Sequence, residues 1–215
     1  MTDLNVLSEL LQKGADYLLV QDNDWKRLIS HVGPCQFEPR TEGDPYEALV
    51  RAVAYQQLHS KAADAILSRM LGIYQDRFPS AEELVETESD TLRACGFSSR
   101  KIETIKAIAQ ARIEGDVPDR QDAETMDDEE LIARLTKLKG IGRWTVEMLL
   151  IFTLARMDVF PLDDLGLKEG YRRLKSLSDV PARKEMESIS ITWSPYRTIA
   201  AWYLWRVPKT WNDPN

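Results

Sequence analysis

Apolar residues recur at helical spacing along nearly the whole chain, and no run alternates apolar and polar residues around a short turn. Ile102, Ile105, Ile108, Ala109 and Ile113 mark one face of a helix, with Ser98 and Ser99 as a capping start and Gly115 as a stop. Ala48, Ala52, Val53, Ala62, Ala63 and Ile66 predict one or two tightly packed helices over residues 46–70. The pattern rules out a sheet protein. It predicts an all-α chain of about ten helices joined by short loops. Hinges are expected at Pro39–Pro45, Gly115–Met126 and Asp158–Asp163. They would divide the chain into a lobe from residues 1–45 plus 159–215 and a lobe from residues 46–158.

Composition excludes several classes. The longest strongly apolar stretch, Met148 to Ala155, falls far short of the ~20 residues that a membrane span needs. The opening MTDLNVLSELLQKG is acidic and amphipathic, unlike a secretion signal. Cys35 and Cys95 lie far apart, which argues against a zinc or iron–sulfur centre and fits a reduced cytoplasmic setting. The net charge of −7 argues at first against a nucleic-acid partner. Residues 116–130, however, hold eight acids and one arginine, so this one stretch carries the whole imbalance. Arg134, Lys137, Lys139 and Arg143 follow, with no acid among residues 131–143. Local positive charge matters more to phosphate than total charge does. A solvated helix face would look the same, so charge alone decides nothing.

Asp128 to Arg156 is the most informative stretch. Leu131, Leu135 and Leu138 form the apolar stripe of a first helix, acidic at its start and basic at its end, with Lys137 and Lys139. Gly140-Ile141-Gly142 breaks it, and a second helix begins near Arg143. Glycine permits a positive φ, and its missing Cβ lets a ligand touch the backbone. The amides of such a turn and of the next helix form a phosphate site. Ile141 would anchor the turn in the core. A tight helical hairpin without a ligand fits the spacing equally well; the neighbouring lysines and arginines favour DNA backbone.

Five segments carry a resemblance. LKGIGRWTVEMLL is similar to the helix-hairpin-helix of DNA glycosylases, and YEALVRAVAYQQLHSKAADAI to the segment around their DNA-probing loop. FPSAEELVETESDTLRACGFSSRKIETIKAIA, VFPLDDLGLKEGYRRL and TWSPYRTIAAWYLWR resemble further blocks of the alkylation-repair branch. In order, they span most of the chain. The chain thus resembles the compact all-helical 3-methyladenine DNA glycosylases. The resemblance implies two helical lobes with an active-site cleft between them, and a monomer acting on double-stranded DNA that contains alkylated bases. It would work in the cytoplasm, at the nucleoid or in the nucleus according to the source.

Roles follow from the resemblance, residue by residue. Asp164 is the catalytic candidate, a carboxylate that would stabilise the oxocarbenium character of the transition state; Asp163 would be a cap or support. Taken without the resemblance, the pair reads as a helix cap and its neighbour. Trp144 and Trp193, with Phe152 and Met148, would wall the base pocket, where an aromatic face attracts a cationic alkylated purine. Without the resemblance, Trp144, Met148 and Phe152 form an ordinary core stripe. Trp202, Trp205 and Trp211 read as packing residues. Leu58 would fill the hole left by base flipping, flanked by Gln57 and His59; a lone histidine there is otherwise a cap or surface residue. Gly140, Gly142, Arg143 and Thr145 would hold DNA backbone. No cofactor is required, and a monovalent or divalent cation on the carbonyls of Leu138 and Ile141 is implied. Relatives with lyase activity carry a Schiff-base lysine where this chain has Trp144. The competing readings are a scaffold that binds DNA without chemistry, a glycosylase with lyase activity, and a protein-binding hairpin.

Overall fold

A computed structural model describes residues 4–40 and 43–211. Residues 1–3 of the acidic opening and residues 41–42 of the first hinge lie outside the described residues. The described chain is helical, with thirteen α-helices, one 3-10 turn and no strand. In chain order the helices are α1 (Leu4–Leu19), α2 (Asn23–Val32), α3 (Pro45–Tyr55), α4 (Ser60–Ile73), α5 (Ala81–Glu86), α6 (Ser89–Ala94) and α7 (Ser99–Ile113). Then follow α8 (Arg120–Thr125), α9 (Asp128–Leu135), α10 (Arg143–Phe152), α11 (Leu165–Leu174), α12 (Arg183–Ser190) and α13 (Arg197–Leu204). None is long and apolar enough to cross a membrane. The chain forms two compact units: Met1–Thr41 with Ala155–Asn215, and Glu42–Leu154.

The second unit is built around α7. Ile102, Ile105 and Ile108 are buried, and the helix packs against α3 and α5. Ser98 starts it as expected, accepting the Lys101 amide at 3.4 Å. Ile113, from the same sequence stripe, is exposed, because the last turn runs past the core. The acidic run has a local explanation. Asp119 caps α8 and Asp127 caps α9, while Asp128, Glu129 and Glu130 fill the first turn of α9, where a helix dipole favours negative charge. α9 is shorter than the leucine stripe suggests. It ends at Leu135, and the chain then turns through short bonds from Leu138 to Leu135 and from Ile141 to Leu138, both 3.1 Å. Lys137 and Lys139 therefore lie on the turn, and Arg134 is the basic residue of the last helical turn.

The first unit brings together α1, α2, α11 and α13. Its core holds Leu18, Trp25, Leu28, Leu167, Ile199 and Tyr203. α2 is capped by Asp22, which accepts the amides of Asp24 and Trp25 at 2.9 and 3.0 Å.

Candidate functional site

The hairpin uses its two glycines differently. Gly140 has φ +91°, and a Cβ there would lie 2.9 Å from Thr104 Oγ1 and 3.0 Å from its Cγ2. Glycine is thus required twice over, by backbone conformation and by the approach of α7. Gly142 has φ −95°, and a Cβ on it would meet nothing within 4 Å. It stands at the N-cap of α10, which has no side-chain cap hydrogen bond. A helix start with no side chain over it is open to an anion. Ile141 is buried, as an anchor should be.

The basic residues beside the hairpin divide into two kinds. Arg143 donates to both oxygens of Glu129, one at 2.9 Å, and through Nε to Glu147 at 2.9 Å. The hydrogen bonds to Glu129, then to Glu147, hold its guanidinium above its ordinary pKa despite burial. Glu147 is only 4% exposed, so Arg143 neutralises a buried carboxylate. Arg134 donates to the carbonyls of Asp116, at 2.8 Å, and Gly115. In this structure the two arginines brace the protein from within. Lys137 and Lys139 remain on the surface, Lys139 within 3.8 Å of Glu103. Thr145, too, has contacts inside the protein. Its side chain is buried at a pocket wall, and its amide donates to the Gly142 carbonyl at 3.0 Å.

The loop after α3 reaches the same place. Leu58 is 41% exposed, and Gln57 holds φ +57°, a strained backbone for a non-glycine residue. His59 stands at the N-cap of α4 but makes no side-chain cap bond, so it does not cap the helix. Gln56, the first residue of the DNA-probing loop expected over 56–60, donates through Nε2 to the Gly140 carbonyl at 3.1 Å and ties the loop to the hairpin. Lys101 Nζ donates to the Ala54 carbonyl at 2.8 Å, holding the end of α3, and burial lowers its pKa. Between these parts lies a pocket of about 480 Å³, with Gln56, Lys101, Thr104, Trp144 and Met148 among its walls. Trp144 is 45% exposed and Phe152 36%, so the aromatic stripe of α10 is not simply core.

The carboxylate candidates lie in the first unit. Asp164 is itself the N-cap of α11, accepting the Leu167 amide on Oδ1 at 2.8 Å. The same oxygen accepts Trp205 Nε1–H at 3.1 Å. Asp163 instead pairs with Arg183 at the surface. Asp164 is thus both cap and catalytic candidate, and Trp205, expected only to pack, is its partner. The segment entering α11 is held at Asp158, which accepts Arg197 Nε at 2.7 Å and the Ser194 hydroxyl at 2.8 Å. Burial works to raise the Asp158 carboxyl, but those bonds and the Arg197 charge outweigh it and hold it below its usual value. Trp193 departs from expectation. It is 2% exposed, wedged among Trp25, Phe160 and Tyr171 with centroids 5.3–5.7 Å away. It is a core residue in this structure.

The hairpin thus presents an open helix start beside an exposed tryptophan and a loop with an exposed leucine, an arrangement able to receive a phosphate. Residues 50–195 match the HhH-GPD superfamily base excision DNA repair protein family. DNA-3-methyladenine glycosylase 1 of Schizosaccharomyces pombe is 49% identical over 93% of this chain and 88% of its own length. A solved structure of the 3-methyladenine DNA glycosylase of that yeast, in complex with abasic DNA, matches with a TM-score of 0.82, covering 90% of this chain and 95% of its own. A DNA-3-methyladenine glycosidase from Bacillus halodurans, 30% identical, matches with a TM-score of 0.81 over 93% of this chain and 89% of its own. The chain belongs to the HhH-GPD superfamily of base excision DNA repair proteins.

Proposed function

We propose that the protein is a monofunctional DNA glycosylase that hydrolyses the N-glycosidic bond of alkylated purines such as 3-methyladenine in duplex DNA. The observation that carries this reading is the 49% identity with a curated DNA-3-methyladenine glycosylase, spread over nearly the whole chain. The site chemistry is consistent with it. The uncapped start of α10 and the Gly140–Gly142 turn would take a phosphate without reading sequence. Leu58 would enter the gap left by the flipped base, with Gln57 and His59 at the groove edge. Trp144, Met148 and Phe152 offer apolar and aromatic surface to a cationic base.

Asp164 would face the sugar as positive charge develops there. Water attacks the anomeric carbon, the cationic base leaves as a neutral molecule with the bonding electrons, and the water's proton passes to solvent. The product is an intact abasic site. The protein would act wherever its DNA is, at a nucleoid or in a nucleus. If a cation sits at the hairpin, the carbonyls of Leu138 and Ile141 are its donors. Leu138 already accepts the Ile141 amide, and no cluster of three acidic, histidine or cysteine groups occurs among the described residues. Monovalent or divalent, such an ion would have the part of steadying the hairpin against phosphate.

The test is a set of duplexes, each with a single modified base, scored for base release and for strand breaks with and without alkali. Release of 3-methyladenine with breaks only after alkali is expected, and borohydride should trap no protein–DNA adduct. No release from any alkylated duplex would favour a DNA binder without chemistry. A robust adduct would overturn the monofunctional reading, and Lys101 would be the first lysine to replace, because desolvation makes an amine a better nucleophile.

A further inference from the structure

We infer that Trp205 is a positioning residue for the Asp164 carboxylate, placed by the two glycines of α11. The inference rests on Asp164 being the catalytic group. Two donors converge on Asp164 Oδ1 from different helices: the Leu167 amide at 2.8 Å, inside α11, and the Trp205 indole N–H at 3.1 Å, at the end of α13. A cap bond alone anchors one oxygen and leaves the carboxylate able to swing about it. A second donor, fixed by a rigid ring on another helix, removes that freedom and sets where the other oxygen points. Catalytic groups need such support, since small errors in orientation are costly.

The packing of α11 on α13 is built around this contact. A Cβ on Gly170 would lie 2.1 Å from the Leu204 carbonyl oxygen and 2.9 Å from its carbon. These are backbone atoms of the residue preceding Trp205, so only glycine lets the end of α13 come this close. A Cβ on Gly166 would lie 3.0 Å from Asp164 Oδ1 and 3.4 Å from Trp205 Cδ1. One glycine therefore admits the helix end that carries the indole, and the other leaves the space beside the hydrogen bond. Burial does not force the pairing. Trp205 is only half-buried, and an indole N–H with solvent at hand has water as an alternative partner.

Trp205→Phe keeps an aromatic ring and removes the donor. Single-turnover release of 3-methyladenine should fall on the order of ten- to a hundredfold, while affinity for an abasic duplex and the melting temperature stay near those of the parent. Gly166→Ala, which crowds the pair but keeps both partners, should lower the same rate in the same selective way. Trp211→Phe, an indole change elsewhere in the unit, should leave the rate unchanged. Asp164→Asn tells a failure of the catalytic reading from a failure of the positioning role. If that variant releases base at the parental rate, Asp164 is not the catalytic group and the inference falls with it. If Asp164→Asn is inactive while Trp205→Phe and Gly166→Ala work normally, the inference alone is overturned. Parallel losses of rate, affinity and melting temperature in both variants would mark Trp205 as merely structural and overturn the inference as well.

Discussion

The hairpin of the second unit and the start of α11 in the first both carry two closely spaced glycines, and they use them for different reasons. At the hairpin, Gly140 is needed for its φ of +91° and for contact with Thr104, whereas Gly142 sits in ordinary backbone with open space around it. On α11, Gly166 and Gly170 are inside a regular helix, and both serve the approach of neighbours, the Asp164–Trp205 pair and the Leu204 backbone. Glycine in a helix interior costs about 0.5–1 kcal/mol relative to alanine. At Gly166 and Gly170 its presence goes with a close contact, whereas glycine in a turn meets either a backbone requirement or an open approach. The same letter thus stands for an internal constraint in three positions, and in the fourth, Gly142, for open surface.

Gly170→Ala puts the largest strain on this contrast. The new methyl group would meet backbone 2.1 Å away, which no side-chain rotation can relieve. Destabilisation should reach or exceed the top of the ~1–3 kcal/mol range for overpacking. For a protein of this size each kcal/mol lowers the melting point by about 2–4 °C. A melting curve matching the parent would mean that α11 and α13 do not approach as described.

What could be read in the sequence follows the range of the interactions. The helical class, the buried Ile141, the Ser98 cap and the start of α10 depend on neighbours a few residues away, and local spacing reveals them. The functions of Arg143 and Trp205 depend on partners 14 and 41 residues distant, and Gln56 reaches across 84. No local pattern encodes such pairings, so the carboxylate partners of a basic residue beside a hairpin, or of a helix-end tryptophan, are not legible there. Trp193 and Trp144 are the same residue type near similar motifs; only burial, 2% against 45%, separates a core ring from a surface one. In the sequence, only the family pattern tells the two aspartates apart. Capping and catalysis read there as alternatives, yet the catalytic candidate Asp164 is the cap.

Gly140→Ala should have a smaller effect on stability than Gly170→Ala. An alanine held at positive φ is strained by about 1–3 kcal/mol, and the facing Thr104 group is a side chain with some room to turn. Because Gln56 bonds to the Gly140 carbonyl, the loop carrying Leu58 should shift as well. Affinity for damaged and undamaged duplexes should fall together. Unchanged stability with unchanged affinity would remove the backbone requirement from the hairpin.

Gly142→Ala is expected to have the smallest effect on the free protein and is the most discriminating of the three. Its φ of −95° suits any residue, and an added Cβ meets no protein atom within 4 Å. Glycine is preferred to alanine at an N-cap, so the replacement loses part of the ~0.5–2 kcal/mol of a capping change, although α10 has no side-chain cap bond to break. Stability should therefore stay within about 1 kcal/mol of the parent, less than the loss at Gly170. If phosphate approaches the turn, the methyl group would stand in its way. Affinity for every duplex should then weaken equally, because contacts to backbone carry no sequence information. Titration of a damaged and an undamaged duplex against the variant measures this directly. A loss confined to one lesion would place the base, not the phosphate, at the hairpin. Full affinity for both would leave Gly142 without a ligand to explain it.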